Sequence, residues 1–330
     1  MSKANDVAPS ERGAALLTVL LLVAVIAVLA GTALEKLRLA TRLGGNAVAL
    51  DQARAYSFAA ETLAVVKVTD LLLKAEDRVT LQGGWSGKPI PLPVPSGTAS
   101  AVVVDGGNCF NLNSLVTETG PGVYASFTPA RIQFARLIRL VDPAARAPDA
   151  IAAAASDWID TDSDAIQDGA EDGAYAGGKQ GYRTGNTLMR DPSELRPVAG
   201  VARVDYDKLR PWICALPIAA PSKINVNTIL PEQAPLLAML RPNLTVEAVR
   251  QGLLRRPPAG FNTAAAFWSQ PIITGAGASD DAAGQSDIKT VWFSLQVDVA
   301  MNGAILQQTG LIDASVLPAR LVSRQWGERT

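Results

Sequence analysis

Residues 10–38 read SERGAALLTVLLLVAVIAVLAGTALEKLR. From Ala14 to Leu34 no side chain is charged. About 21 residues at a helical rise of about 1.5 Å cross the roughly 30 Å hydrocarbon core of a bilayer. Such a run is a discarded signal, a permanent anchor, or a helix with a job in the folded protein. As a signal it is long, with Gly31-Thr32-Ala33 as its cleavage site. Lys3 and Arg12 precede it and Lys36, Arg38 and Arg42 follow it, so flanking charge does not set the orientation. Near-helical apolar spacing continues through Leu37, Leu39, Leu43, Val48, Leu50 and Ala53, then Leu63, Val65, Val66, Leu71 and Leu72. This predicts one long helix over 14–82, with its membrane-spanning part at 14–34. At Gly44-Gly45 a bend or local unwinding is expected, because each helical glycine costs about 1 kcal/mol.

The whole chain of 330 residues carries 30 Lys plus Arg against 31 Asp plus Glu, so no overall field draws it to nucleic acid or an anionic bilayer. It has no histidine, which removes Ser-His-Asp and Cys-His nucleophiles and the usual His-ligated zinc sites. Cys109 and Cys214 are too few for a cysteine zinc site and too far apart for a CxxC pair. They are two buried thiols or one disulfide.

Beyond the helix, Gly83-Gly84-Trp85 and prolines 89, 91, 93 and 95 read as a loop or edge segment, and Thr98 to Val104 as a strand. Between Phe127 and Phe267 the period is mostly helical, with PARIQFARLIRLV, DAIAAAASDWID and VEAVRQGLL among its segments. From Thr290 the period becomes two, and Asn302-Gly303 between VWFSLQVDVAM and AILQQTGLID is a hairpin signal. The fold class is therefore α+β: residues 83–124 plus 271–330 form an antiparallel sheet domain, and 125–270 an all-helical insertion.

Residues 157–175, DWIDTDSDAIQDGAEDGAY, hold seven carboxylates and no basic residue. With Asp160 as position one of an EF-hand loop, Asp162, Asp164, Asp168 and Glu171 fall at positions three, five, nine and twelve, a ligand set suited to calcium. Ala165 occupies the place of the position-six glycine and Gly169 stands at ten, so the loop is not expected to fold as a standard EF-hand. A solvated acidic loop with aspartate helix caps is the competing reading.

Ser10-Glu11-Arg12-Gly13 followed by Ala14-Ala15-Leu16-Leu17-Thr18 resembles the type IV prepilin junction, where a dedicated peptidase cuts after the glycine. That makes 1–13 a leader and Ala14 the new N-terminus. Thr18 stands where that class has glutamate, and the minor pseudopilin K family of type II secretion systems is similar in lacking it. The resemblance extends through Asn108-Cys109-Phe110-Asn111-Leu112-Asn113-Ser114-Leu115, Asp157-Trp158-Ile159-Asp160, Gly169-Ala170-Glu171-Asp172 with Tyr175, Ser193-Glu194-Leu195 and Ile224-Asn225-Val226-Asn227-Thr228.

The resemblance implies a pilin-like head with a large helical insertion, anchored by a single pass in the bacterial inner membrane and projecting into the periplasm. It implies a structural role at the pseudopilus tip, starting or capping the filament, beside minor pseudopilins I and J, other pseudopilins, the prepilin peptidase and secreted substrates. It also implies structural calcium, with Asp160, Asp162, Asp164, Glu171 and Asp172 as ligands and Asp157 and Asp168 in reserve. A periplasmic head places both cysteines in an oxidising compartment, so a Cys109–Cys214 disulfide is expected.

Two other classes compete. Asn225, Asn227 and Arg255-Arg256-Pro257-Pro258-Ala259-Gly260-Phe261 look loosely like helix-hairpin-helix modules, with Arg241 and Arg250 nearby, but Leu240-Arg241-Pro242-Asn243-Leu244 lacks the hairpin glycines. No nucleic-acid partner is expected. An enzyme using Glu171 and Asp172 as acid and base has no pocket signature to support it, so no catalysis is expected.

Overall fold

The apolar run is the first half of helix α1, Pro9–Lys74, which is 66 residues long. The computed structural model describes residues 9–75, 77–95, 97–177, 181–274, 282 and 284–327, with residues 9–12 as backbone only. Residues 1–8 of the expected leader lie outside that set, while Gly13 and Ala14 both sit inside α1. Helical hydrogen bonding runs through Gly44-Gly45 without unwinding. Two glycine penalties are small against so many consecutive backbone bonds. The helix stops at Lys74 rather than near 82 because the next backbone groups are taken elsewhere: Val79 N–H donates to Ile288 O (2.8 Å), and the Trp85 indole N–H to Thr80 O (2.7 Å).

Residues 13–48 of α1 are exposed all round, with a mean hydropathy of 2.9 in the most apolar window. From there one face is buried: Ala49, Ala53, Ser57, Ala60, Ala64 and Val68, spaced three or four apart. Small side chains let the helix lie close on a sheet. That sheet comes from both ends of the chain. Strands β1 (Ile90–Leu92) and β2 (Thr98–Asp105) precede the insertion. Inside the insertion lie β3 (Phe110–Asn111), β4 (Val116–Gly120), β5 (Val123–Ser126), α2 (Thr128–Val141), α3 (Pro148–Asp157), α4 (Asp172–Tyr175) and α5 (Arg203–Leu209). They are followed by β6 (Ile213–Cys214), β7 (Ile224–Asn225), α6 (Pro235–Ala238), α7 (Val246–Leu254), α8 (Ala264–Trp268), α9 (Pro271–Thr274) and β8 (Ser286–Asp287). The chain returns through β9 (Trp292–Met301), β10 (Ala304–Asp313) and β11 (Arg320–Trp326).

The order is β1-β2-β9-β10-β11, antiparallel throughout, with Pro91 confined to an edge strand. Asn302 and Gly303, at φ 48° and 84°, turn β9 into β10, as the Asn-Gly signal predicts. Alternate residues Phe293, Leu295, Val297, Val299 and Met301 of β9 face α1, together with Ala99, Ala101 and Val103 of β2.

A second, larger core lies wholly between Phe110 and Ala282. The packing division therefore falls just after Asp105 and before Trp292, outside the expected limits of 125 and 270. Leu112, Leu115 and Val116 pack with α2 and α3, not with the sheet. Nor is the insertion all helical. Parallel pairs join β3 to β6 and β7 to β8, and β4 with β5 makes a hairpin. Cys109 and Cys214 are disulfide-bonded beside the β3–β6 pair.

Candidate metal centre

The acidic segment starts at the buried end of α3. Ala152 to Ala155 let α3 press against α2, and Ser156 fixes its end by donating to Leu115 O (3.0 Å) and bonding Ser126 Oγ (2.8 Å). Asp157 and Asp160 follow three residues apart on a continuing turn, 0 % and 1 % exposed. Thr161 ties the next residues to Tyr124 through both backbone and side chain. The chain then loops outward and returns, and Glu171 comes back to the same place.

Asp157, Asp160 and Glu171 each offer an oxygen within 4.8 Å of the others. The carboxylates have divided duties. Asp157 Oδ2 accepts from Ile166 N (3.3 Å) and Glu171 Oε2 from Thr184 Oγ1 (3.4 Å). Asp157 Oδ1, Asp160 Oδ1 and Glu171 Oε1 are buried without a hydrogen-bond partner. Three carboxylates so close together in a protein interior, each with one oxygen lacking a partner, are costly unless a cation or protons satisfy them. Burial pushes Asp157 up to about 6. Burial, then the charges of Asp162, Asp157 and Glu171, pushes Asp160 up to about 7. Burial and then Asp157 raise Glu171. Hard oxygen donors of this kind fit calcium.

The other expected ligands stand apart from this trio. Asp162 and Asp164 are exposed, and Asp162 accepts from Asp164 N (2.9 Å), a local turn. Asp172 accepts from Thr184 N and Oγ1, both at 2.9 Å, and these bonds hold its carboxyl below the usual carboxylate range. Asp168 turns the loop at φ 63°. Asp157, held in reserve by the sequence reading, is central. The missed signal was its place three residues before Asp160 at a helix end, where both carboxylates face the same way. Gly169 was also missed: a Cβ there would lie 2.0 Å from Asp157 Oδ2. Below the trio, Trp158 packs edge-on against Tyr175 and Tyr182, with centroids at 5.4 and 6.1 Å.

The helix-hairpin-helix alternative is not supported. Asn225 and Asn227 are buried, and Asn227 bonds Phe261 at both N–H and O. Arg256 donates to Val226 O and Ile229 O, Arg250 is paired with Glu247 at 2.8 Å, and Arg241 is buried over Trp268 with its guanidinium carbon 4.3 Å from the ring centroid. These arginines serve the fold and leave little positive surface for phosphate.

One apolar N-terminal helix laid against an antiparallel sheet, enlarged by a mostly helical insertion, defines a pilin-like subunit whose helix fits a single-pass membrane anchor. The chain belongs to the type II secretion system protein K family. Two family models, both described as type II secretion system (T2SS), protein K, match residues 108–218 and 224–289. Type II secretion system protein K of Klebsiella pneumoniae is 34% identical over 322 residues, covering 96% of this chain and 97% of the relative. That of Pectobacterium carotovorum is 31% identical over 320 residues, with the same shares. A solved chain of the GspK-GspI-GspJ complex from enterotoxigenic Escherichia coli aligns with TM-score 0.73 and 29% identity, covering 85% of this chain and 97% of that one. The family is a structural component of the secretion system.

Proposed function

We propose that this chain is the minor pseudopilin at the tip of a type II secretion pseudopilus, where it starts or caps assembly with the I and J subunits for export of folded proteins. The observation that carries the reading is the likeness across 85% of the chain to the complex with GspI and GspJ. Size favours the tip: the insertion would obstruct a subunit stacked above it, and contacts that cannot repeat end a filament. The exposed apolar part of α1 anchors the chain in the inner membrane, with the head in the periplasm, after the prepilin peptidase cuts between Gly13 and Ala14. Thr18 fits a first subunit. Its hydroxyl donates within its own helix to Ala15 O (2.8 Å), and no carboxylate stands there for a neighbour's N-terminus. The role is structural and needs no catalysis.

The acidic site holds structural calcium in this reading, supported by the three unpartnered carboxylate oxygens of Asp157, Asp160 and Glu171. Asp162, whose charge acts on Asp160, would be a further donor. Asp164 and Asp172 complete the expected set only if the loop rearranges. Co-expression of the full chain with its I and J subunits, followed by affinity purification in detergent, tests assembly. A stoichiometric three-subunit complex is expected, and recovery of this chain alone would sink the proposal.

A further inference from the structure

The buried asparagines of the NCFNLNSL and INVNT stretches have no place in the metal site or the membrane helix. Two of them, Asn108 and Asn225, meet where the head's two cores join. Asp105 ends β2 as the chain leaves the sheet, and Thr290 lies where it returns to β9. Two relays of hydrogen bonds point at the Asp105 carboxylate. The Asn108 amide donates to Thr228 Oγ1 (3.0 Å), and Thr228 donates to Asp105 Oδ2 (2.5 Å). The Asn225 amide donates to Thr290 Oγ1 (2.8 Å), and Thr290 donates to the same oxygen (2.5 Å). Gly107 N–H donates to Oδ1 (2.9 Å). Asn225 also donates to Val79 O (3.1 Å), and Asn225 N–H to Asn108 Oδ1 (2.9 Å). One node thus ties the chain beyond α1, both crossings of the neck and the interior of the insertion.

Thr228 has a second acceptor, Asn225 O at 3.3 Å. We propose that Asp105 is the positioning residue of the neck, a proton-accepting joint that holds the insertion on the sheet in both of its charge states. With Asp105 ionised, both threonines donate to it. With Asp105 neutral, its O–H donates to Thr228 Oγ1 and the Thr228 hydroxyl turns to Asn225 O, so no buried group loses a partner. The single proton comes from solvent and stays on the carboxyl. Burial, set against the bonds from Thr228 and Thr290, pushes Asp105 up to about 6. Every group bonded to it is uncharged. Of the charged residues on the surrounding segments, Lys223 pairs with Asp287 at 3.9 Å and Arg78 bonds Asn262 (2.7 Å), while Asp77 and Lys289 are exposed.

A carboxyl raised in the folded state contributes stability below its unfolded pKa and loses it as pH rises through the folded value. Hydrogen exchange of the full chain in detergent with calcium present tests this at the amides of Val79 and Gly106, which donate to Ile288 O and Trp292 O at the neck. Relative to Asp105→Asn, which imitates the neutral acid, the wild-type opening constant should rise by up to about tenfold per pH unit between pH 4 and 6. Thr228→Val should open the neck at both ends of that range, and Thr228→Ser should restore the wild-type profile. Parallel profiles for wild type and Asp105→Asn overturn the proposal. So does an Asp105→Asn chain that cannot fold, or wild-type protection in Thr228→Val.

Discussion

In Asp157 one oxygen organises the loop and the other, buried without a hydrogen-bond partner, is the proposed calcium ligand. Calcium at about a hundred times its Kd should stabilise the head by about 2.7 kcal/mol. Asp157→Asn should abolish the calcium-induced rise in melting temperature, read by calorimetry with and without chelator. Asp164→Asn, at an exposed position, should leave that rise nearly intact. Gly169→Ala should cost about 1–3 kcal/mol, because its methyl group must displace the Asp157 carboxylate. The raised carboxyls give the pH dependence its sign. In the metal-free head, Asp157 at about 6 and Asp160 at about 7 contribute stability at low pH that is lost as pH rises through those values. Calcium needs them deprotonated, so its affinity should fall as pH is lowered from 7 to 5, with protons released on binding in calorimetry.

At the scale of elements, α1 is clamped to the far edge of the sheet by charge as well as by packing. Arg324 of β11 grips Glu61 with Nε at 2.5 Å and Nη2 at 2.6 Å, and lies over the Phe58 ring with its guanidinium carbon 4.7 Å from the centroid. Gln308 of β10 also donates to Glu61, and Ser57 donates to Gln308. Arg324→Ala leaves Glu61 buried with one partner fewer. Losing a partner from a fully buried pair costs about 3–5 kcal/mol. Because the Arg324 side chain is 37% exposed, about 2–3 kcal/mol is expected, measured by thermal or denaturant unfolding. Pairing Arg324→Met with Glu61→Gln should recover part of that loss. Nothing in the spacing of Glu61 and Arg324, 263 residues apart, could have announced the contact.

Across the whole molecule the disulfide crosses a separation of 105 residues and closes the insertion on itself beside the neck. Replacing both cysteines by serine should cost up to about 4–5 kcal/mol, the chain-entropy value for so long a loop. The denatured, unreduced chain should show no free thiol. This link lies within the insertion, so sheet and insertion are held together chiefly by the neck, by the segment following α1, and by bonds such as those of Asn225.

The apolar run, the period-two strands around Asn302-Gly303 and the helical repeats of α2 and α7 were legible from sequence because each is local, written in residues a few positions apart. That sufficed for the α+β class, the long helix, an insertion and the acidic segment. The end of α1 at Lys74, the placing of residues 110–126 with the helical core, the gathering of Asp157 with Asp160 and Glu171 and the Asp105 node were decided only by tertiary structure. Each depends on where a distant backbone group or carboxylate arrives after folding, and on whether burial leaves that group a partner.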